Sequence, residues 1–168
     1  KVIKMESVNC MGDKKRALIA MSGGVDSSVA VYLMQKAGYD CVGATMRLYE
    51  AQQNNDAKAV AKHFGIPFHA YDYREDFKDE VICRFINTYI EGGTPNPCVE
   101  CNRYMKFGRF MDKMREENCD CVVTGHYARV EYDTIRGQYV LKKGLDERKD
   151  QSYVLYNLTK DRCCVHFV

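Results

Sequence analysis

The sequence predicts an α/β protein, a doubly wound parallel sheet with helices on both faces, and three observations carry that expectation. Four short apolar runs of strand length are separated by stretches whose apolar residues recur at helical spacing. Glycines stand where the first strand gives way to a helix and where the helices stop. Strands that alternate with helices in this order pair in parallel, because each helix returns the chain across a face of the sheet.

Arg16-Ala-Leu-Ile-Ala-Met21 fits a buried strand and breaks at Ser22-Gly23-Gly24. Val29, Ala30, Leu33, Met34 and Ala37 then mark a helix, with Gly38 just past its end, where a positive φ is wanted. Cys41 to Thr45 reads as the second strand. Ala57, Val60, Ala61 and Phe64 recur at i, i+3, i+4, i+7, and Gly65-Ile-Pro67 stops that helix. Phe68 to Tyr71 is the third strand. The strongest periodic signal follows in Phe77, Val81, Ile82, Phe85, Ile86, Tyr89 and Ile90, ended by Gly92-Gly93. Residues 94–103 read as a loop, with Pro95 and Pro97 excluding helix. Phe107, Phe110, Met111 and Met114 mark another helix, and Cys121 to Thr124 a fourth strand ending at Gly125. Beyond Arg129, Val130-Glu-Tyr and Tyr139-Val-Leu flank a turn at Arg136-Gly137 and predict a hairpin, with a short helix over Gln151 to Leu158. Arg162 to Val168 is an apolar piece with no evident cap or partner, so the chain reads as a fragment. The expected organisation is a tail (1–15), an α/β domain (16–129) and an appendage (130–168).

Length and composition narrow the field. A chain of 168 residues with 46% hydrophobic content can bury a core of its own, which excludes disorder. The balance of 25 Lys+Arg against 23 Asp+Glu neither demands nor forbids a polyanionic partner. No apolar run approaches the roughly 20 residues that span a bilayer, and Lys1 to Arg16 lacks the apolar block of a signal peptide. The nine cysteines are odd in number and scattered, unlike a secreted disulfide framework, so a reducing cytoplasm is the expected location. Cys41 and Cys83 read as buried thiols, and Cys10 stands alone.

The first chemical candidate is Met21-Ser-Gly-Gly-Val-Asp-Ser-Ser28, set between a strand and a helix. Two glycines let the backbone turn tightly, and the helix that follows aims unpaired N–H groups and its positive end at the same point. Ser22, Ser27 and Ser28 add hydroxyls, and Asp26 suits a Mg²⁺ shared with bound phosphates. The plainer alternative is a tight turn with Ser22 or Asp26 as a helix cap. The coincidence of strand, turn, hydroxyls, carboxylate and helix favours phosphate binding. The loop has neither the lysine of a Walker A motif nor the Gly-x-Gly-x-x-Gly spacing of dinucleotide folds.

Ser-Gly-Gly-Val-Asp-Ser resembles the PP-loop of the ATP pyrophosphatase superfamily, which has an adenine nucleotide alpha hydrolase-like fold. Gly93-Thr-Pro-Asn-Pro-Cys-Val-Glu-Cys-Asn102, Lys106-Phe107, Thr124-Gly-His-Tyr-Ala128 and Lys149-Asp-Gln-Ser-Tyr153 follow in the order and approximate spacing of the tRNA-specific 2-thiouridylase family. The resemblance runs from about Arg16 to Lys160. It implies an enzyme that spends ATP with Mg²⁺ to adenylate the C2 oxygen of the wobble uridine of tRNA and then replaces that oxygen with sulfur. It also implies roles. Ala20, Met21, Ser22, Gly23, Gly24, Val25, Asp26 and Ser27 match the ATP loop, and Met46 and Gly125 the adenosine side. Cys101 matches the nucleophile, while Asn96, Pro97 and Cys98 match the stretch that faces the target base. His126, Lys149, Asp150 and Gln151 match tRNA-contacting positions. The implied partners are tRNA and a sulfur-donor protein, either a persulfide relay or a cysteine desulfurase, with no membrane.

A thiol suits this chemistry, since a persulfide on cysteine presents an activated sulfur to an electrophilic carbon. A nearby cation, Lys106 or Arg103, is expected to lower the Cys101 pKa. Outside its motif His126 reads as a satisfied histidine at a strand end, and Lys149 as a solvated charge. Tyr71-Asp-Tyr73 and Tyr153 to Tyr156 suit packing better than base stacking.

The sequence departs from the family in two places. Many members carry Asp where this chain has Cys98, and the resulting Cys-x-x-Cys pair also suits Zn²⁺ or an iron–sulfur cluster, with Cys119 and Cys121 as further candidates. The family's second functional cysteine lies in a later segment, and Cys163 and Cys164 do not match it, so the chain alone is expected to bind tRNA weakly and not to complete thiolation. Two other readings remain: a synthetase of the amidating type built on the same loop, and a non-enzymatic zinc module built on the cysteines.

Overall fold

The computed structural model describes residues 14–50, 54–159 and 165–167. Five strands form a parallel sheet in the order β3-β2-β1-β4-β7: β1 (Arg16–Ala20), β2 (Asp40–Arg47), β3 (Phe68–Asp72), β4 (Cys121–Thr124) and β7 (Val165–Phe167). β5 (Ala128–Asp133) and β6 (Gln138–Lys143) pair antiparallel as the expected hairpin. β1 is buried over its middle three residues because its neighbours sandwich it and helices cover both faces, which is why it reads as an unbroken apolar run.

The two faces have separate cores. On one, Ala17, Ile19, Cys41 and Val123 pack against Ala30, Val31 and Met34 of α1 (Val25–Lys36) and Ala57 and Ala61 of α2 (Asn55–His63). On the other, Leu18, Val42, Ala44 and Val122 meet Phe107, Phe110, Met111 and Met114, with Val154 and Leu155 closing the edge. The sheet is therefore doubly wound, as the sequence predicts.

Two long helices complete the described chain. The first, α3, runs without a break through an α-helical turn (Arg74–Phe77), a π-helical stretch (Lys78–Cys83) and an α-helix (Arg84–Ile90). Its apolar periodicity is strong, yet only Val81 is fully buried, and Ile82, Ile86, Tyr89 and Ile90 face solvent. The second, α4, begins with a turn at Pro97–Glu100, widens into a π-helix over Cys101–Arg109 and ends as an α-helix over Phe110–Glu116.

Three expectations are corrected here. Residues 94–103 are not all loop: Asn96 caps α4, its Oδ1 accepting from the Cys98 N–H at 3.1 Å, and Pro97 takes the first helical position, where its missing N–H costs nothing. The apolar tail has a partner, because Val165–Phe167 pairs in parallel with β4. Within Gln151 to Leu158 the helical part is a single 3₁₀ turn, Ser152–Val154. Cys10, Cys163, Cys164 and nearly all of the expected tail lie outside the described residues.

Candidate active site

The strand order places the site. From β1 the chain winds outward through β2 to β3 on one side, while β4 and β7 lie on the other, so the topological switch falls between β1 and β4. In open parallel sheets ligands bind in the crevice beyond the carboxyl ends of the strands at that point. Here the crevice is walled by Met21–Val25 after β1 and Gly125–Tyr127 after β4.

Gly23 turns the first wall with φ +84, a left-handed conformation that L side chains avoid, and an added Cβ would stand 2.7 Å from Cβ of Asp56 at the start of α2. Gly24 is the N-cap of α1 and brings no side-chain cap, while the Ser27 and Ser28 hydroxyls both donate back to its carbonyl at 2.9 Å. The first-turn N–H groups of a twelve-residue helix thus lack a side-chain acceptor and face the crevice end of the sheet. That donor set fits a phosphate chain. Asp26 is exposed in the same turn, and its carboxylate is a hard oxygen donor of the kind Mg²⁺ takes. Ser22 accepts from the Gly24 N–H at 3.4 Å, Ser27 is buried, and Val25 stands open to solvent. Ala20 ends β1, and Met46, near the end of β2, is half-buried against the cores.

The second wall couples to the first and to the segment after the hairpin. An added Cβ at Gly125 would lie 3.0 Å from Cβ of Asp26, and the Tyr127 hydroxyl donates to Asp26 Oδ1 at 2.9 Å. Gln151 brackets the Tyr127 backbone: its Oε1 accepts from the Tyr127 N–H at 3.0 Å, and its own N–H donates to the Tyr127 carbonyl at 2.9 Å. The Lys149 ammonium lies 5.1 Å from the Tyr127 ring centre. Asp150 accepts from Gly144 N–H and from the backbone and hydroxyl of Ser152, and these bonds hold its carboxyl below the usual range. Asp150 thus shapes the segment that presents Lys149. Tyr127 joins the phosphate loop to that segment. In the sequence it stood inside the Thr124–Ala128 motif with no role of its own.

His126 points the other way. It is buried, its Nε2 lies 3.3 Å from Lys106 Nζ and its Nδ1 2.8 Å from Thr124 Oγ1, and its ring packs tilted against Phe107 and edge-on with Phe167. Burial, with Lys106 second, lowers its pKa to about 3, so the ring is neutral at physiological pH. An ammonium only donates, so Nε2 is the acceptor and Nδ1–H donates to Thr124. Neither ring nitrogen is presented to a nucleic acid in this arrangement.

On α4, Cys98 is exposed and Cys101 is half-buried beside Tyr73, Val81 and Met105. Burial pushes the Cys101 thiol up, against a downward pull from Lys106. This corrects the expected direction. Of the two cations anticipated, Lys106 acts on the thiol, whereas Arg103 lies over the Tyr104 ring, 5.0 Å from its centre. Asn96 and Pro97 edge a groove of about 540 Å³ between the start of α4 and α3, and Cys98 is not part of its lining. Cys119 packs in one sheet core, Cys121 in the other and Cys101 in a third cluster. Among the described residues no group of three or more His, Cys, Asp or Glu is arranged to hold a metal ion, and the Cys98 and Cys101 thiols alone do not fit a zinc or iron–sulfur centre.

The sequence profile of the family described as the tRNA methyl transferase HUP domain matches residues 15–165, nearly the whole chain. The chain belongs to that family. Among curated relatives it is 47% identical over 161 residues to the tRNA-specific 2-thiouridylase MnmA of Clostridioides difficile, covering 88% of this chain and 45% of the relative. It is 43% identical over 167 residues to the protein of the same name from Desulforamulus reducens, covering 90% and 46%. The chain spans about half the length of these HUP-domain relatives. Its fold is also that of a structure described as a predicted subunit of tRNA methyltransferase from Methanocaldococcus jannaschii, with a TM-score of 0.52 at 13% identity over 92% of this chain and 66% of that one.

Proposed function

We propose that the chain carries the ATP-dependent adenylating half-site of a tRNA uridine 2-thiolation enzyme. One observation supports this reading: the adjacent residues His126 and Tyr127 tie α4, which bears Cys101, to the glycine loop after β1, through Lys106 and Asp26 respectively. The uridine C2 oxygen attacks the α-phosphorus of ATP, and pyrophosphate leaves past the first turn of α1. The terminal sulfur of a cysteine persulfide then adds at C2, the oxygen departs with AMP, and a second thiol attacks the persulfide's inner sulfur, so that the S–S bond breaks, the outer sulfur stays on the uridine and a disulfide is left on the protein. Asp26 would hold a Mg²⁺ ion, which when bound would neutralise the polyphosphate. Asn96, Pro97 and Cys98 face the base, Lys149 and Gln151 lie on the tRNA side, and a persulfide relay or cysteine desulfurase supplies the sulfur.

The methyl-transfer wording in the family description favours a different donor. A sulfonium methyl donor carries no phosphate and would leave the loop's N–H groups without an acceptor, and methyl transfer has no use for Cys101. An amidating synthetase would use the loop but equally has no use for the thiol.

ATP–pyrophosphate exchange, with and without tRNA, tests the adenylation step. Exchange that requires tRNA is expected. Cys101→Ser should keep that exchange while 2-thiouridine formation, measured by nucleoside mass spectrometry with the later segment that carries the family's second cysteine supplied, falls by on the order of 10³-fold or more. Loss of exchange together with thiolation would place Cys101 in folding or nucleotide binding instead.

Mg-ATP at about 100 times its dissociation constant should add roughly 2.7 kcal/mol of stability, a thermal shift of about 5–11 °C. Asp26→Ala should remove most of that shift while leaving the ligand-free melting temperature nearly unchanged, because the side chain is exposed. An equal shift in variant and parent would remove Asp26 from the site.

A further inference from the structure

The π-helical stretch of α4 begins at Cys101, and its hydrogen bonds span five residues, as the Phe110 N–H to Met105 carbonyl bond shows. In an α-helix residues 101 and 106 would diverge by about 140° around the axis. Under i→i+5 bonding each turn holds more residues, so residues five apart diverge far less and fall on the same side of the helix. The wide turn therefore brings Lys106 onto the Cys101 side of the helix, and the Lys106 ammonium is the cation that pulls the Cys101 thiol down against burial.

Left alone, a lysine four carbons long would sample many rotamers. Here one N–H is fixed by His126 Nε2 at 3.3 Å, and the histidine is itself fixed by Thr124 at its other nitrogen and by Phe107 and Phe167 on its ring. His126 stays neutral, so it accepts from the ammonium without competing for its charge. The other groups near the thiol carry no positive charge to it: Cys98 raises its pKa, Tyr73 has its own pushed up to about 12 by burial, and Tyr104 engages the guanidinium groups of Arg84 and Arg103.

We propose that Lys106 is a positioning residue for the Cys101 sulfur, its ammonium held by His126 so that the thiolate or persulfide is both stabilised and directed toward the crevice. The π-helix is the device that creates the pairing. This rests on Cys101 being the nucleophile. It gives His126 a role through Lys106 in place of direct contact with nucleic acid.

The test is the pH profile of Cys101 alkylation, read by peptide mapping at limiting reagent, in the parent, Lys106→Met, Lys106→Arg and His126→Phe. Met keeps the aliphatic stem, Arg keeps the charge, and Phe keeps the ring packing. Lys106→Met should raise the midpoint by about one pH unit, so labelling at pH 7 slows about tenfold. Lys106→Arg should restore most of that rate, and His126→Phe should shift the midpoint the same way by less. Thermal melts of each variant keep unfolding apart from these shifts, since unfolding would expose the thiol and speed labelling. A reactive Cys101 whose midpoint ignores Lys106→Met overturns this inference and leaves the nucleophile standing. A Cys101 in the parent that labels no faster than buried Cys41 at any pH overturns both.

Discussion

Below pH 6.5 the folded chain is expected to lose stability steeply, with His126 as the main cause. The native imidazole holds no proton until about pH 3, because burial and then the Lys106 ammonium disfavour the cation, whereas the unfolded side chain protonates near 6.5. Protons therefore bind the unfolded state first as pH falls. This stability is complete above 6.5 and is lost at about 1.4 kcal/mol per unit between 6.5 and 3, or roughly 2.7 kcal/mol by pH 4.5. His166, lowered by burial and by Lys15, acts in the same direction. Urea unfolding at a series of pH values measures the slope. His126→Gln should flatten it, whatever its effect on stability at pH 8, and an unchanged slope would mean that the ring is protonated in the fold.

Gly23→Ala is expected to disable the phosphate loop and to weaken the whole domain. Positive φ costs an L residue about 1–2 kcal/mol, and a Cβ at 2.7 Å from Asp56 and 2.9 Å from the Ala57 nitrogen adds an overpacking cost of about 1–3 kcal/mol, because backbone of α2 must move. A loss of roughly 2–5 kcal/mol corresponds to a melting temperature lower by about 4–20 °C. The Mg-ATP stabilisation should also vanish, since relieving the clash turns the loop N–H groups away from a common point. Calorimetry with and without nucleotide gives both. A variant that melts within 2 °C of the parent would show that α2 yields freely.

The strands and the first two helices were legible in the sequence because burial on two sides of a sheet writes itself as short apolar runs, and a helix covering one face repeats every three or four residues. The tight turn between β1 and α1 was legible because two glycines between an apolar run and a helical period have few other uses. Pro97 misled, since a proline that starts a helix looks in composition like one that forbids it, and only the capping geometry of Asn96 separates the two. The π-helical stretch was hidden because its period is visible only once the hydrogen bonds are drawn. β7 was hidden because three residues are too short to show a period, and its partner lies far back in the chain. The orientations of His126 and Tyr127 were hidden for a similar reason: neighbours in sequence, they turn to opposite walls, and only packing decides which goes where.

β7 bears on the order in which the site is built during synthesis. Every strand that frames the phosphate crevice has been made once residue 124 is complete, but the Phe167 ring that closes over His126 belongs to a strand made about forty residues later. At ribosomal speeds that interval is roughly 2–8 s, long compared with the folding of a small domain. A nascent chain thus has time to form a nucleotide cradle while the histidine is still wet, and a wet histidine titrates near neutrality and holds its lysine loosely. Arrival of the edge strand dries the ring, so under the proposed function nucleotide binding would be the earlier competence and thiol chemistry the later one.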